Sequence, residues 1–349
     1  MDISDTRRSG SRGRSARPVA KAADLVLEGG GVKGIALAGA VVTLSEAGYR
    51  FPRVAGTSAG AIVGAVLAAL QRSGEPLTGL TEIARTLDYR RFRDRGLPGS
   101  LLGPLGFLTD GLSLLVEGGA YEGDYLADWL AGVLGDLGVK TFGDLHTDDP
   151  ADDGAIHHRY SLVVMASDLS RKRLVQLPWD YAEYGLDPDE QQVVDAVRAS
   201  ASIPYFFEPV LLEGSRGTST LVDGGLLSNY PISSFDRIDE LPPRWPTIGV
   251  RLDALGIGGG SRGAPPAPVR GPVRMGIALV QTAIEACQAE HVLDPCNVAR
   301  SVYVDTTDFS AIDFDLTEAQ QDALLSAGAG AAEAFLETWD FESWVDTCR

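Results

Sequence analysis

The stretch Val54-Ala55-Gly56-Thr57-Ser58-Ala59-Gly60 runs from an apolar strand through a turn of small residues into a helix. Its G-x-S-x-G pattern is typical of a nucleophile elbow, a sharp turn that exposes one serine hydroxyl, although so short a pattern also occurs by chance. We expect Gly56 and Gly60 to be required, because a Cβ at either position would collide with the neighbouring strand or helix. Apolar residues at 51–55 and 61–70 supply that strand and helix. Ser58 is therefore the candidate nucleophile.

Composition and charge indicate one large α/β domain whose partner is not nucleic acid. The chain has 349 residues, of which 44% are hydrophobic, so it can bury a large core. Its formal net charge of −18 would repel a phosphate backbone and also disfavours tight docking on strongly anionic membranes. The longest apolar run is too short for a membrane span of about 20 residues.

The helix and strand patterns divide the chain into an arm, a domain and a tail. We predict a disordered basic arm at residues 1–22, which are rich in arginine and lack the apolar segment of a signal peptide. Residues 23–340 are predicted to form a single catalytic domain with a flexible Gly/Pro-rich insertion at 254–272. Residues 341–349 are predicted to be a C-terminal tail.

The cysteines indicate a reducing compartment. Cys287, Cys296 and Cys348 are odd in number and late in the chain, so no disulfide framework is expected. We therefore predict a cytoplasmic location.

A second turn, Gly29-Gly30-Gly31-Val32-Lys33-Gly34, separates a short apolar strand from a predicted helix at 35–47. Its glycines satisfy the G-x-G-x-x-G pattern of dinucleotide-binding folds. Such folds place an acidic residue about 20 positions later, where this chain has Arg53-Val54-Ala55-Gly56. A Walker A loop is also excluded, because Ile35 follows Gly34.

The glycine turn can instead hold an oxyanion with its backbone N–H groups, at the positive end of a helix. Adjacent strand-turn-helix units in a parallel sheet place their turns at the same edge. We therefore expect Ser58 to lie near the amides of Gly30 and Gly31.

A reactive serine needs a base, and histidine is the usual one. His291 would complete an α/β-hydrolase order of Ser58, Asp223 and His291, but it lies near the end of a predicted helix, where a solvent-facing or capping role fits better. A carboxylate can replace histidine where burial raises its basicity. Asp223, at a strand end, is the first candidate and Asp168 the second. The remaining histidines are His146, His157 and His158.

Residues 90–108 combine an arginine cluster with an apolar stretch that Gly and Pro interrupt. This region fits a mobile cover that makes peripheral contact with a membrane. It equally fits an ordinary core-facing loop, and the sequence leaves both open.

The glycine turn, the Gly56-Thr57-Ser58-Ala59-Gly60 turn and Asp223-Gly224-Gly225, in this order, resemble the signature blocks of the patatin-like phospholipase family, as found in bacterial members. Residues 202–209 and 313–316 are also similar, and the blocks together cover most of residues 24–336. The resemblance implies a three-layer α/β/α fold with a mainly parallel central sheet flanked by helices on both faces.

The resemblance also implies a serine lipid acyl hydrolase, phospholipase A-like, that uses a dyad of Ser58 and Asp223 without a catalytic histidine. Ser58 would be the nucleophile and Asp223 the general base, with no metal or other cofactor. The implied oxyanion hole consists of the amides of Gly29, Gly30, Gly31 and Ala59. The residues that support the motifs are Lys33, Gly34, Gly56, Gly60, Gly224 and Gly225.

The substrate would be a phospholipid or another acyl ester. A soluble carboxylesterase or thioesterase with the same mechanism remains an alternative, as does a non-catalytic lipid-binding module on the same fold.

Overall fold

The computed structural model describes residues 21–93, 123–147, 155–237, 239, 241–252, 268–292, 294–311 and 313–349. Its strands are β1 (Lys21–Ala22), β2 (Asp24–Leu27), β3 (Tyr49–Arg50), β4 (Val54–Thr57), β5 (Leu162–Asp168), β6 (Arg173–Leu177), β7 (Val210–Gly214), β8 (Gly217–Asp223), β9 (Thr247–Arg251) and β10 (Ser301–Tyr303). Its helices are α1 (Ile35–Glu46), α2 (Ala59–Ser73), α3 (Gly79–Thr86), α4 (Asp124–Asp136), α5 (Ile156–Arg159), α6 (Val193–Ser200), α7 (Gly225–Ser228), α8 (Pro272–Val292), α9 (Pro295–Ala299), α10 (Glu318–Thr338) and α11 (Phe341–Cys348). Short 3-10 helices include Gly31–Gly34 and Tyr89–Arg93.

The main sheet places both predicted turns at one edge. In the described chain the strand order is β10-β9-β2-β4-β5-β8-β7, and β6 also pairs with β5. Strands β10, β9, β2, β4 and β5 are parallel, whereas β6, β7 and β8 run antiparallel to their partners. Because β2 and β4 are adjacent and parallel, the turns that follow them leave the sheet at the same edge. Helices flank this sheet, so the predicted fold class is confirmed.

Strand β5 brings the ends of β4 and β8 together. Thr57 of β4 pairs with Met165, and Asp223 of β8 pairs with the next residue of β5, Ala166. Strand β6 pairs with residues 164–168 of β5, which include residues that also pair with β4 and with β8. Strand β6 therefore lies on the opposite side of β5 from β4 and β8. The carboxyl ends of β4 and β8 therefore meet on one edge, although they are far apart in sequence.

Helix α10 packs closely on α1, the helix that follows the glycine turn. A Cβ at Gly328 of α10 would collide with the carbonyl of Ala36, and a Cβ at Gly39 of α1 would collide with the carbonyl of Leu325. The absence of side chains at these two positions lets the helix backbones approach each other.

The boundaries of the predicted arm, insertion and tail differ from the structure. Lys21 and Ala22 are not part of a disordered arm, because they form β1 and pair with β3; residues 1–20 lie outside the described residues. Most of the predicted insertion, residues 254–267, also lies outside them, and α8 begins at Pro272. The predicted tail is the helix α11, which buries Trp344 and begins at an Asp340 cap.

The structure contains a disulfide, although the cysteine count predicts no disulfide framework. Cys296 and Cys348 are bonded, and the Trp344 indole donates to the Cys296 carbonyl at 2.9 Å. Docking of α11 brings the two cysteines together, which spacing alone does not reveal. Because the cytoplasmic prediction relied on the absence of a disulfide framework, the cysteines no longer support it. Within the described residues, no helix is long and apolar enough to cross a membrane.

Candidate active site

Ser58 lies on a strained turn between β4 and α2. Its φ is +52° and its ψ is −119°, a conformation that side-chain-bearing residues rarely adopt. A Cβ at Gly56 would collide with the Gly60 carbonyl, and a Cβ at Gly60 would collide with the Leu27 carbonyl. The predicted requirement for both glycines is therefore confirmed, and the turn has the geometry of a nucleophile elbow.

Two hydrogen bonds hold this turn. The backbone N–H of Ser58 donates to Ser200 Oγ at 2.9 Å, and Thr57 Oγ1 donates to the Ser228 carbonyl at 2.9 Å. The Ser58 side chain itself is nearly buried, with 6% of the residue exposed. Because its amide is already paired, Ser58 presents only its hydroxyl to the adjacent cleft.

Asp223 lies beside Ser58 and is 4% exposed. The Gly225 amide donates to its Oδ1 at 2.7 Å, whereas the buried Oδ2 has no hydrogen-bond partner of standard geometry among the described residues. Burial raises the pKa of Asp223 to about 6, and interactions with the Ser58 hydroxyl and the Gly225 amide partly offset that rise. The Ser58 hydroxyl is close enough to lower this pKa, so the two side chains are neighbours.

The glycine turn contributes fewer free amides than predicted. The Gly29 amide donates to the Asn229 carbonyl at 3.1 Å, so Gly29 is removed from the predicted oxyanion donors. The amides of Gly30, Gly31 and Ala59 have no hydrogen-bond acceptor among the described residues. A Cβ at Gly34 would come within 2.6 Å of the Ala59 Cβ, so the two turns are in direct contact.

Other glycines of the motifs are required by close contacts. Gly31 has a φ of +57°, and a Cβ there would collide with the Ala311 carbonyl. A Cβ at Gly224 would collide with the Met165 carbonyl. Lys33 lies half-buried within the 3-10 helix Gly31–Gly34.

The alternative bases lie elsewhere. Asp168 accepts hydrogen bonds from the Arg171 amide at 3.0 Å and the Tyr184 hydroxyl at 2.8 Å. Burial alone would raise its pKa, but these hydrogen bonds bring the pKa below its usual value. His146 pairs with Asp189 at 2.8 Å, and the side chain of His291 lies outside the described part of α8.

An apolar cleft, which Ser58 helps to line, runs along α2. The space within it, including its open mouth, is about 710 Å³. Ala59, Ile62, Val63 and Val66 line it from one face of α2, and none of its described lining residues is a histidine. Further lining comes from α3, α4 and neighbouring loops, through Leu80, Ile83, Ala84, Leu87, Tyr89, Leu126, Trp129, Ile203, Phe207 and Phe314.

Sequence reasoning missed Ser200 and Asn229. Ser200 contacts the nucleophile turn, and Asn229 makes two hydrogen bonds with Gly29. Their only sequence signal is proximity to the predicted blocks, because Ser200 precedes the 202–209 segment and Asn229 follows Asp223 by a few residues.

An α/β sheet that carries a serine at a strained strand-to-helix turn over an apolar cleft defines a hydrolase-like class of proteins. A model of the patatin-like phospholipase family matches residues 25–236. The chain belongs to this family, which places it among lipid acyl hydrolases.

The chain is also similar in sequence to two other bacterial proteins. YqhO of Bacillus subtilis (strain 168) is 38% identical over 318 residues, which cover 91% of this chain and 99% of YqhO. The NTE family protein Mb2594 of Mycobacterium bovis is 30% identical over 220 residues. That match covers 63% of this chain and 29% of the longer mycobacterial protein.

Two solved structures are more distantly similar. VipD from Legionella pneumophila aligns with a TM-score of 0.46 and 17% identity, covering 92% of this chain and 67% of VipD. ExoU in complex with SpcU, from Pseudomonas aeruginosa, aligns with a TM-score of 0.44 and 18% identity, covering 99% of this chain and 61% of that one. The family assignment rests on the sequence matches.

Proposed function

We propose that the protein is a serine acyl hydrolase that cleaves fatty-acyl esters of lipids, as a phospholipase A does. The observation that carries this proposal is the position of Asp223, a buried carboxyl beside Ser58, which itself lines an apolar cleft. A carboxyl with a pKa near 6 is largely ionised at neutral pH and is more basic than an exposed aspartate. It can therefore act as the base for a serine without histidine.

In the first step Asp223 removes the proton from Ser58 Oγ, which attacks the carbonyl carbon of the ester. We assign the proton to Oδ2, because Oδ1 is held by the Gly225 amide. The amides of Gly30, Gly31 and Ala59 are the proposed donors to the oxyanion that forms. Collapse of this intermediate breaks the ester C–O bond, and the leaving alcohol takes the proton from Asp223.

In the second step water attacks the acyl group on Ser58. Asp223 accepts a proton from that water, and a second oxyanion forms at the same amides. Its collapse breaks the bond to Ser58 Oγ, which regains the proton from Asp223, and the fatty acid leaves. The carboxyl thus ends each turnover in its starting state.

The cleft supports a long acyl chain as the substrate group. Val66 lies two helical turns beyond Ser58, so the α2 face that lines the cleft extends about 12 Å from the nucleophile. Its lining is aliphatic or aromatic over this length, and burying each CH₂ group of an acyl chain there contributes about 0.8 kcal/mol. A short soluble ester would contact only the part of the cleft nearest Ser58.

Peripheral membrane contact through residues 90–108 is also part of the proposal. Tyr89 lines the cleft, and the adjacent Arg90 and Arg91 are exposed, with the Arg91 guanidinium over the Tyr125 ring at 4.2 Å. Residues 94–108 lie outside the described part of the chain. Exposed cations beside the cleft suit lipid headgroups.

The test is fatty-acid release from mixed phospholipid vesicles by the purified protein, with a soluble short-chain ester assayed in parallel. We expect the wild-type protein to release fatty acid, and both Ser58→Ala and Asp223→Asn to lose activity by several orders of magnitude while remaining folded. Asp168→Asn serves as a matched carboxylate control outside the cleft and should retain turnover.

Each other outcome assigns a different function. Turnover of the soluble ester alone would identify a carboxylesterase or thioesterase, and no turnover of either substrate would favour a non-catalytic lipid-binding module. Loss of activity in His291→Ala as well as in Asp223→Asn would replace the dyad with a triad of Ser58, His291 and Asp223.

A further inference from the structure

The residues at the end of α6, positions 200–202, contact both halves of the proposed dyad. Ser200 Oγ accepts the hydrogen bond from the Ser58 N–H at 2.9 Å. The Ser200 carbonyl accepts from the Gly224 N–H at 3.4 Å, and the Ser202 carbonyl accepts from the Asp223 N–H at 2.9 Å. One short segment therefore holds the nucleophile turn through a side chain and the aspartate turn through its backbone.

The contact to Ser58 is the one that depends on a side chain. Ser200 is fully buried, with 0% of the residue exposed, and a buried backbone N–H without an acceptor is unfavourable. Ser58 directly precedes the first residue of α2, and N–H groups at the start of a helix have no helical carbonyl as acceptor, so the Ser200 hydroxyl supplies one. The Ser200 hydroxyl thus stabilises a backbone conformation that is otherwise disfavoured.

We propose that Ser200 is a positioning residue for catalysis. It holds the strained Ser58 turn in the conformation that keeps the Ser58 hydroxyl close to Asp223. The inference rests on the proposed acyl hydrolysis for its kinetic consequences. Without the Oγ acceptor, the Ser58 amide rotates toward another partner and carries the Ser58 hydroxyl away from Asp223 Oδ2. Displacements of about 1 Å in reacting groups lower rates by roughly a hundredfold.

The test compares Ser200→Ala with wild type in two measurements. In ester hydrolysis we expect kcat to fall by roughly ten- to a hundredfold, with KM within about twofold because the cleft lining is unchanged. In hydrogen–deuterium exchange we expect the Ser58 amide to exchange at least about tenfold faster than in wild type, because its acceptor is gone. Ser200→Cys keeps a weak acceptor in a slightly larger side chain and should lie between the two in both measurements.

Ser301→Ala is the matched control. Ser301 is also a buried serine, and its hydroxyl bonds with Tyr230 and with the Asn297 carbonyl, away from the cleft. We expect it to leave kcat and the exchange of the Ser58 amide unchanged, even if it lowers the melting temperature as much as Ser200→Ala does.

An unchanged Ser58 amide exchange in Ser200→Ala, or an unchanged kcat, overturns the inference. So does an equal loss of kcat in Ser301→Ala. If Ser200→Ala does not fold, the same criteria apply to Ser200→Cys. If the wild-type protein hydrolyses no ester, the proposed function is refuted. The exchange measurement needs no substrate, so it still decides whether Ser200 holds the turn.

Discussion

Asn229 and Gly29 are joined by two hydrogen bonds, one in each direction. The Gly29 N–H donates to the Asn229 carbonyl at 3.1 Å, and Asn229 Nδ2 donates to the Gly29 carbonyl at 3.0 Å. Gly29 begins the glycine turn, and Asn229 directly follows α7, the helix next to Asp223. The pair therefore fixes the proposed oxyanion donors relative to the proposed base.

Asn229→Ala should lower kcat by roughly tenfold with little change in KM, because the Gly29 carbonyl loses a partner and the turn loosens. The check is steady-state kinetics on an acyl ester. Asn297→Ala removes a buried asparagine that bonds with Arg300, and it should lower the melting temperature without lowering kcat. Wild-type kcat in Asn229→Ala would show that the turn is held without this side chain.

The activity should depend on the ionisation of Asp223. Burial raises the pKa of this carboxyl to about 6, so the base form is lost as the pH falls through that value. We expect kcat/KM to rise with pH along a single limb centred near 6 and to reach a plateau at neutral pH. A limb centred near 4, at the usual pKa of aspartate, would contradict a desolvated base.

The same pKa predicts a stabilising effect of Asp223→Asn. A folded-state pKa above the usual 3.8 means that the folded protein binds the proton more tightly than the unfolded chain does. The contribution of this carboxyl to stability is therefore fully present below pH 3.8 and is lost as the pH rises through about 6. At pH 7.5 the charged form costs up to ~3 kcal/mol, so Asp223→Asn should be more stable than wild type.

Urea unfolding at two pH values checks this prediction. The gain for Asp223→Asn should be clear at pH 7.5 and small at pH 4. Asp168→Asn is the control with the opposite sign, because hydrogen bonds lower the pKa of Asp168 and its ionised form stabilises the fold at neutral pH. A loss of stability in both variants at pH 7.5 would argue against a carboxyl at position 223 whose charged form is disfavoured by burial.

The acyl cleft can be shortened at Val66. A tryptophan there would fill the cleft about 12 Å from Ser58 and exclude long chains. For Val66→Trp we expect kcat/KM to fall by roughly ten- to a hundredfold for a palmitoyl ester and to change by less than about twofold for a butyryl ester. Val66→Ala widens the same position and should leave the palmitoyl activity intact. Parallel losses on both esters would mean that the cleft does not hold the chain.

The disulfide predicts a thiol count. With Cys296 bonded to Cys348, the unreduced, denatured protein should show one free thiol out of three cysteines, and the reduced protein should show three. Cys348→Ser should lower stability by roughly 2–4 kcal/mol under oxidising conditions, since it removes a link between α11 and α9. Three free thiols before reduction would show that the bond does not form in the purified protein.

The strand-turn-helix units could be predicted from the sequence because their signals are local. Apolar runs flank the Ser58 turn, and glycines stand where a Cβ would collide with the Gly60 or Leu27 carbonyl. Asp223 is the first candidate base from its position at a strand end and from the family resemblance, but its proximity to Ser58 has no local signal in the sequence. It depends on the register of β8 against β5, which no short pattern encodes.

The remaining differences have similar causes. Strand β7 escaped prediction because its sequence, Val-Leu-Leu-Glu-Gly, shows no alternation of apolar and polar residues, although its burial alternates. The contacts of Ser200 and Asn229 are made to backbone groups, and the partner of a backbone group cannot be read from the residue type. The disulfide depends on how α11 docks, and that docking follows from tertiary packing around Trp344.

The close contact between α1 and α10 sets a limit on how the chain can be divided. The family match ends at residue 236, yet β9 pairs with β2, and α10 fits against α1 through Gly39 and Gly328. A fragment that ended at residue 236 would leave β2 with an unpaired strand edge and α1 with an uncovered apolar groove. Exposed strand edges pair with other chains, so this fragment should aggregate on expression. The domain that folds as a unit should therefore extend beyond residue 236 and include β9 and α10.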